Sequence, residues 1–127
     1  METPIGARGE CRIVVEGEGE KVILFTNQAL MTAEKELGQS ITRIVQKYER
    51  GDVSINDYAV LTRLGLETAR REYKEPRASY TQADALRIMD AVGFVQVASM
   101  VYGALAEVFG FGVKKPGGKE EESPPAS

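Results

Sequence analysis

The sequence predicts an α+β domain: an N-terminal β-hairpin followed by a bundle of about five helices, with a disordered C-terminal tail. Three observations carry that reading. Two runs rich in β-branched residues, Glu10 to Glu16 and Glu20 to Thr26, flank the short segment Gly17-Glu18-Gly19, which is the pattern of a hairpin. After Thr26 the apolar spacing changes from alternate residues to every third or fourth, the helical period. From Lys114 to Ser127 there is no large apolar side chain, and three of the five prolines fall there, so that stretch cannot add to a core. With 127 residues, 43% of them hydrophobic, the chain can fill one core and not two. Residues 1–9 are expected to form a flexible N-terminus, 10–112 a single α+β domain and 113–127 the tail.

Within the hairpin, pairing Glu16 with Glu20 sets Cys11, Ile13 and Val15 on one face with Ile23 and Phe25. The other face keeps Val14, Val22 and Leu24 among Arg12, Glu16 and Glu20, so it is only half polar. A lone hairpin is marginal in water and leaves two open edges. Helices can cover one face, and a neighbouring subunit is a candidate cover for the rest. The clustered Glu16, Glu18 and Glu20 read as a solvated tip, because they lack the Asp/Asn-rich spacing of a calcium loop.

The helices follow in order. Asn27 is a good N-cap for a helix carrying Leu30, Ala33 and Leu37, stopped by Gly38. Ser40 caps a short helix with Ile41, Ile44, Val45 and Tyr48, ended by Gly51. Ser54, with Asp57 three residues on, resembles a capping box and opens a longer helix through Leu61, Leu64, Leu66 and Ala69 to about Tyr73. Pro76 breaks the chain. Thr81 with Asp84 repeats the start signal for a helix carrying Leu86, Ile88, Met89 and Val92, and Gly93 separates it from a last helix over Phe94 to Phe109. That last helix is apolar nearly all round, with a narrow polar stripe at Gln96, Ser99, Gly103 and Glu107. A helix of this kind is buried on nearly all sides. It is the centre of the domain, an interface, or a membrane span over Ala91 to Val113. Against the span stands Glu107 inside the segment, which costs on the order of 2–3 kcal/mol on insertion scales.

Composition limits the chemistry. The chain has no His and one Cys, which removes Ser-His-Asp and Cys-His catalysis, Cys/His zinc sites and an internal disulfide. Cys11 lies in an apolar alternation and reads as a small buried hydrophobe. The Gly residues form no phosphate-binding loop, and the helical carboxylates read as solvated faces. No cofactor, metal or catalytic residue is expected, and the chain is expected not to be an enzyme. Sixteen Lys and Arg against 19 Asp and Glu give a formal charge of -3, a poor balance for gripping a nucleic-acid backbone. Arg70, Arg71, Lys74 and Arg77 form the one basic cluster, read as cations completing a helix C-terminus. A small DNA-binding regulator built on Ile41 to Arg77 remains the alternative, although Asp57 at the start of its second helix would face phosphates badly. A membrane-anchored accessory protein is a further one.

The order of these motifs resembles a known family. The hairpin with its apolar second strand comes first, then Glu-Lys-Glu-Leu-Gly ending at Gly38 with Ser40 close behind. Ser-Ile-Asn-Asp at Ser54 to Asp57 and Leu-Thr-Arg-Leu-Gly-Leu at Leu61 to Leu66 come next. Thr-Gln-Ala-Asp at Thr81 to Asp84, Met-Asp-Ala-Val-Gly at Met89 to Gly93 and a closing Val-Phe-Gly at Val108 to Gly110 complete it. Together, over roughly Arg8 to Gly110, they resemble the tail assembly chaperones of long-tailed bacteriophages, in particular the gene-transfer-agent and prophage type. The resemblance implies a non-enzymatic protein of the host bacterial cytoplasm, absent from the mature virion. It implies binding of the tape measure protein and recruitment of the tail tube protein around it. It also implies a longer form made by ribosomal frameshifting near Lys114-Lys115. The chemistry of such a role needs exposed or exchangeable apolar surface. Val14, Val22 and Leu24 on the hairpin, and Phe94, Val97, Val101, Leu105, Val108 and Phe109 on the last helix, are the residues expected to serve homo-oligomer formation or client binding. No nucleic acid and no membrane are expected among the partners.

Overall fold

The computed structural model describes residues 9–109. Residues 1–8 of the expected N-terminal segment 1–9, the tail and the Lys114-Lys115 frameshift position lie outside the described residues. The element order is β1 (Glu10–Val15), β2 (Gly19–Leu24), α1 (Asn27–Leu37), α2 (Ile41–Glu49), α3 (Ile55–Glu72), α4 (Gln82–Val92) and α5 (Phe94–Phe109). An antiparallel hairpin followed by five helices is the α+β arrangement that the change of period requires.

The strands pair Val15 with Gly19 and Glu10 with Leu24, two residues away from a Glu16–Glu20 register. The amide of Glu18 donates to Val15 O at 2.9 Å, which closes the turn one residue earlier and takes Glu16 out of the ladder. Gly17 and Gly19 both have positive φ, 83° and 92°, so either glycine can carry the reversal. An even shift leaves every side chain on its expected face. Ile13, Val15, Ile23 and Phe25 are therefore buried together, and the ladder extends one step further through Phe25 N–H donating to Gly9 O at 2.8 Å.

Helix α3 crosses that face and forms the centre of the molecule, packing on β2, α1, α4 and α5. Eleven of its residues are buried, Tyr58, Leu61 and Leu66 among the largest. Helix α5 is not the central one. It rests on α3, α2, α4 and β1 and buries Val97, Ala98, Val101, Ala104, Leu105 and Ala106. Its other side keeps Val95 and Phe109 in solvent.

Local capping fixes the helix starts. Thr26, not Asn27, caps α1: its Oγ1 accepts from Ala29 N at 3.1 Å. Ser40 Oγ accepts from Arg43 N at 3.1 Å, and Ser54 Oγ from Asp57 N at 3.2 Å. Only the Thr81–Asp84 pair forms the reciprocal box, at 3.1 Å and 2.9 Å. Asp57 turns away from its own helix start instead, to Lys47 Nζ at 3.0 Å and Gln39 Nε2 at 2.9 Å. It thereby ties the connection after α1 and the last turn of α2 to α3. Thr81→Ala removes one half of the box and is expected to lower stability by about 1 kcal/mol, read as a lower urea midpoint with an unchanged m-value.

Gly93 separates α4 from α5, whose axes are bent by 112°. With φ 108° and ψ 129° this backbone is open to glycine and strained for other residues. Among the described residues no single helix is long and apolar enough to cross a membrane.

Candidate functional site

Three accessible features among the described residues carry apolar side chains, the second of them in a mostly polar lining. On the hairpin's outer face Val14 is 72% exposed and Val22 is half-buried. Around them Arg12 pairs with Glu20 at 3.0 Å and lies 3.7 Å from Glu10. At the far end of this face Leu24 is buried. It stands opposite Glu10, which accepts a 2.7 Å hydrogen bond from the Tyr73 hydroxyl at the end of α3.

The second feature is a groove of about 350 Å³ where Leu24, Phe25, Thr26 and Asn27 meet Val108 of α5. Phe109 is exposed one residue on. The third is a groove of about 280 Å³ between the end of α2 and the start of α5, lined by Tyr48, Gly51, Val53, Phe94, Val95 and Ala98. Its wall is braced by Tyr48 stacked on Tyr102, with ring centroids 4.2 Å apart and planes 13° from parallel. The Tyr102 hydroxyl donates to Glu49 at 2.8 Å. That bond to a carboxylate raises the Tyr102 pKa above its ordinary value, and burial adds to the rise.

The nine residues singled out in the sequence therefore divide. Val97, Val101 and Leu105 have no solvent exposure and Leu24 has 7%. These four pack inside the chain and hold the fold, the three on α5 because that helix presents one side to α3 and α2. Val14 and Phe109 are exposed, and Val22, Phe94 and Val108 are half-buried. Sequence reasoning missed Val95, 75% exposed, and Ile55, 59% exposed. A signal for Val95 was present: Ser99, one turn on, belongs to the polar stripe, so Val95 borders it.

The charges at the end of α3 and the start of α4 pair with one another. Glu67 takes Arg70 at 2.6 Å and Arg71 at 3.1 Å. Arg77 lies 3.7 Å over the Tyr80 ring and 3.5 Å from Asp84. Three cations of the basic cluster thus serve the chain's own carboxylates. Asp57 and Tyr58, at the start of the helix a DNA-reading motif would use, are 4% and 1% exposed. A cavity of about 400 Å³ between α1 and α3 is polar, and its Arg63 is already paired with Glu36 at 2.6 Å. Burial pushes the Cys11 thiol up to about 12, with the Glu10 charge adding to the rise, so it stays protonated and unreactive near neutral pH. Among the described residues no three His, Cys, Asp or Glu side chains converge as a metal site. Comparison with protein-family models, with curated proteins and with solved structures finds no match to this chain.

Proposed function

We propose that this chain is a non-enzymatic tail assembly chaperone of a bacteriophage or prophage of the gene-transfer-agent type. It binds the tape measure protein in the host bacterial cytoplasm, assists assembly of tail tube subunits around it, and leaves before the virion is complete. The resemblance in motif order supplies the family. The observation that carries the reading is the apolar surface left open at Val14 on the hairpin and at Phe109 on the closing helix, on a chain whose basic cluster is engaged internally. A client with long apolar helices is shielded from aggregation by such surface.

The experiment is co-expression with the long coiled-coil-like reading frame beside the gene. The wild-type chain is expected to bring that otherwise insoluble product into the soluble fraction and to co-purify with it. Val14→Lys, which sets a cation opposite Glu20, combined with Phe109→Ser changes two outward positions at a cost of about 1 kcal/mol. The pair is expected to abolish co-purification and leave the helical circular dichroism unchanged. A client that stays insoluble beside the wild-type chain removes the proposal.

A further inference from the structure

We infer that the groove between the end of α2 and the start of α5 is the contact between two copies of this chain, related by a two-fold axis passing beside Gly51. Groove and knob occur together on one face. Tyr48, Val53, Phe94 and Ala98 form the hollow, and Val95, 75% exposed, stands at its edge. A two-fold contact uses the same patch on both subunits, so a surface that offers a projection beside a matching hollow can satisfy itself.

The charges beside the groove select a second copy over a partner of one sign. Arg50 and Asp52 flank Gly51 in the chain, both are exposed, and among the described residues neither is held in an ion pair. Gly51 has φ 81°, and a Cβ built on it would meet nothing within 4 Å, so another backbone can approach closely. With the axis at Gly51, each Arg50 faces the second copy's Asp52, and the pair is made twice. A basic client would oppose Arg50 and an acidic one Asp52; an antiparallel copy matches both. The inference does not rest on the tail-assembly reading, which is tested at Val14 and Phe109, residues that do not line this groove.

The test is sedimentation velocity of the purified full chain across the micromolar range. The wild type is expected to be a dimer, and Val95→Glu a monomer with unchanged helical circular dichroism. Arg50→Asp alone and Asp52→Arg alone each set like charges together twice, and each is expected to weaken dimerisation about tenfold. Mixed in equal amounts, the two variants restore both opposite-charge contacts and are expected to associate more tightly than either alone. A monomeric wild type, a Val95→Glu dimer, or a mixture no tighter than its components each overturns the inference. A monomeric wild type leaves the groove to a different protein.

Discussion

Gly65→Ala is expected to destabilise the fold by about 1–3 kcal/mol, and Gly65→Val by more, although both replace glycine in the middle of a helix. On an isolated helix the alanine change would help by about 1 kcal/mol, since glycine pays the larger backbone entropy. Packing reverses the sign. A Cβ on Gly65 would lie 2.3 Å from Ile23 Cγ2 and 3.2 Å from Phe25 Cζ. Ile23 has no exposure and Phe25 only 3%, so neither can swing aside into solvent. Relief requires moving α3 off β2, and α3 is the element on which α1, α4 and α5 also rest. For a domain with 5–15 kcal/mol in hand, the valine variant approaches the limit of folding. Urea unfolding should show the lower midpoint. Adding Ile23→Ala to Gly65→Ala should cost less than the sum of the two single changes, because the deleted Cγ2 is the clashing atom. A Gly65→Ala variant as stable as wild type would mean that helix and hairpin are not this close.

Gly65 also marks where sequence reasoning ends. The Leu-Gly-Leu of α3 gives the helix and its buried face, yet the reason for glycine lies on a strand some 40 residues earlier. Features set by neighbours in the chain were legible: the starts at Ser40, Ser54 and Thr81, the break at Gly93 and the hairpin itself. Features set by distant neighbours were not. The Glu16–Glu20 register read from the sequence missed by two residues, because the turn is closed by the 2.9 Å bond from Glu18 N to Val15 O. On an almost wholly apolar α5 only the narrow stripe at Gln96, Ser99, Gly103 and Glu107 marks the outer side, and it is easily passed over. Val95 and Val97 look alike in sequence, yet one is 75% exposed and the other not at all. Leu24 read as surface because the tyrosine that reaches its neighbour Glu10 comes from the far end of α3.

Glu67→Gln is expected to remove about 1–2 kcal/mol of stability at neutral pH and to flatten the acid limb of the stability profile. The Glu67 carboxylate accepts from Arg70 Nε at 2.9 Å and Nη2 at 2.6 Å, from Arg71 Nε at 3.1 Å and from the Tyr80 amide at 2.9 Å. The Arg70 hydrogen bonds lead in holding its pKa down, from 4.5 to about 2. Burial works the other way, and the Tyr80 amide, the Arg70 charge and Arg71 assist the lowering. A carboxylate whose folded pKa lies below its unfolded one stabilises the fold fully above the unfolded value. That contribution fades as pH falls from about 4.5 through about 2. Arg70 is itself tied to Arg77 O and Ser79 Oγ at 3.3 Å. The cluster therefore pins the connection after Pro76 and places Tyr80 and the start of α4. Glutamine keeps the shape and an acceptor but loses the charge that holds Arg70. Acid unfolding followed by circular dichroism should show the two proteins furthest apart above pH 5 and converging toward pH 2. Parallel profiles across that window would mean that Glu67 titrates alike in the folded and unfolded chains, and the pinning would then rest on shape alone.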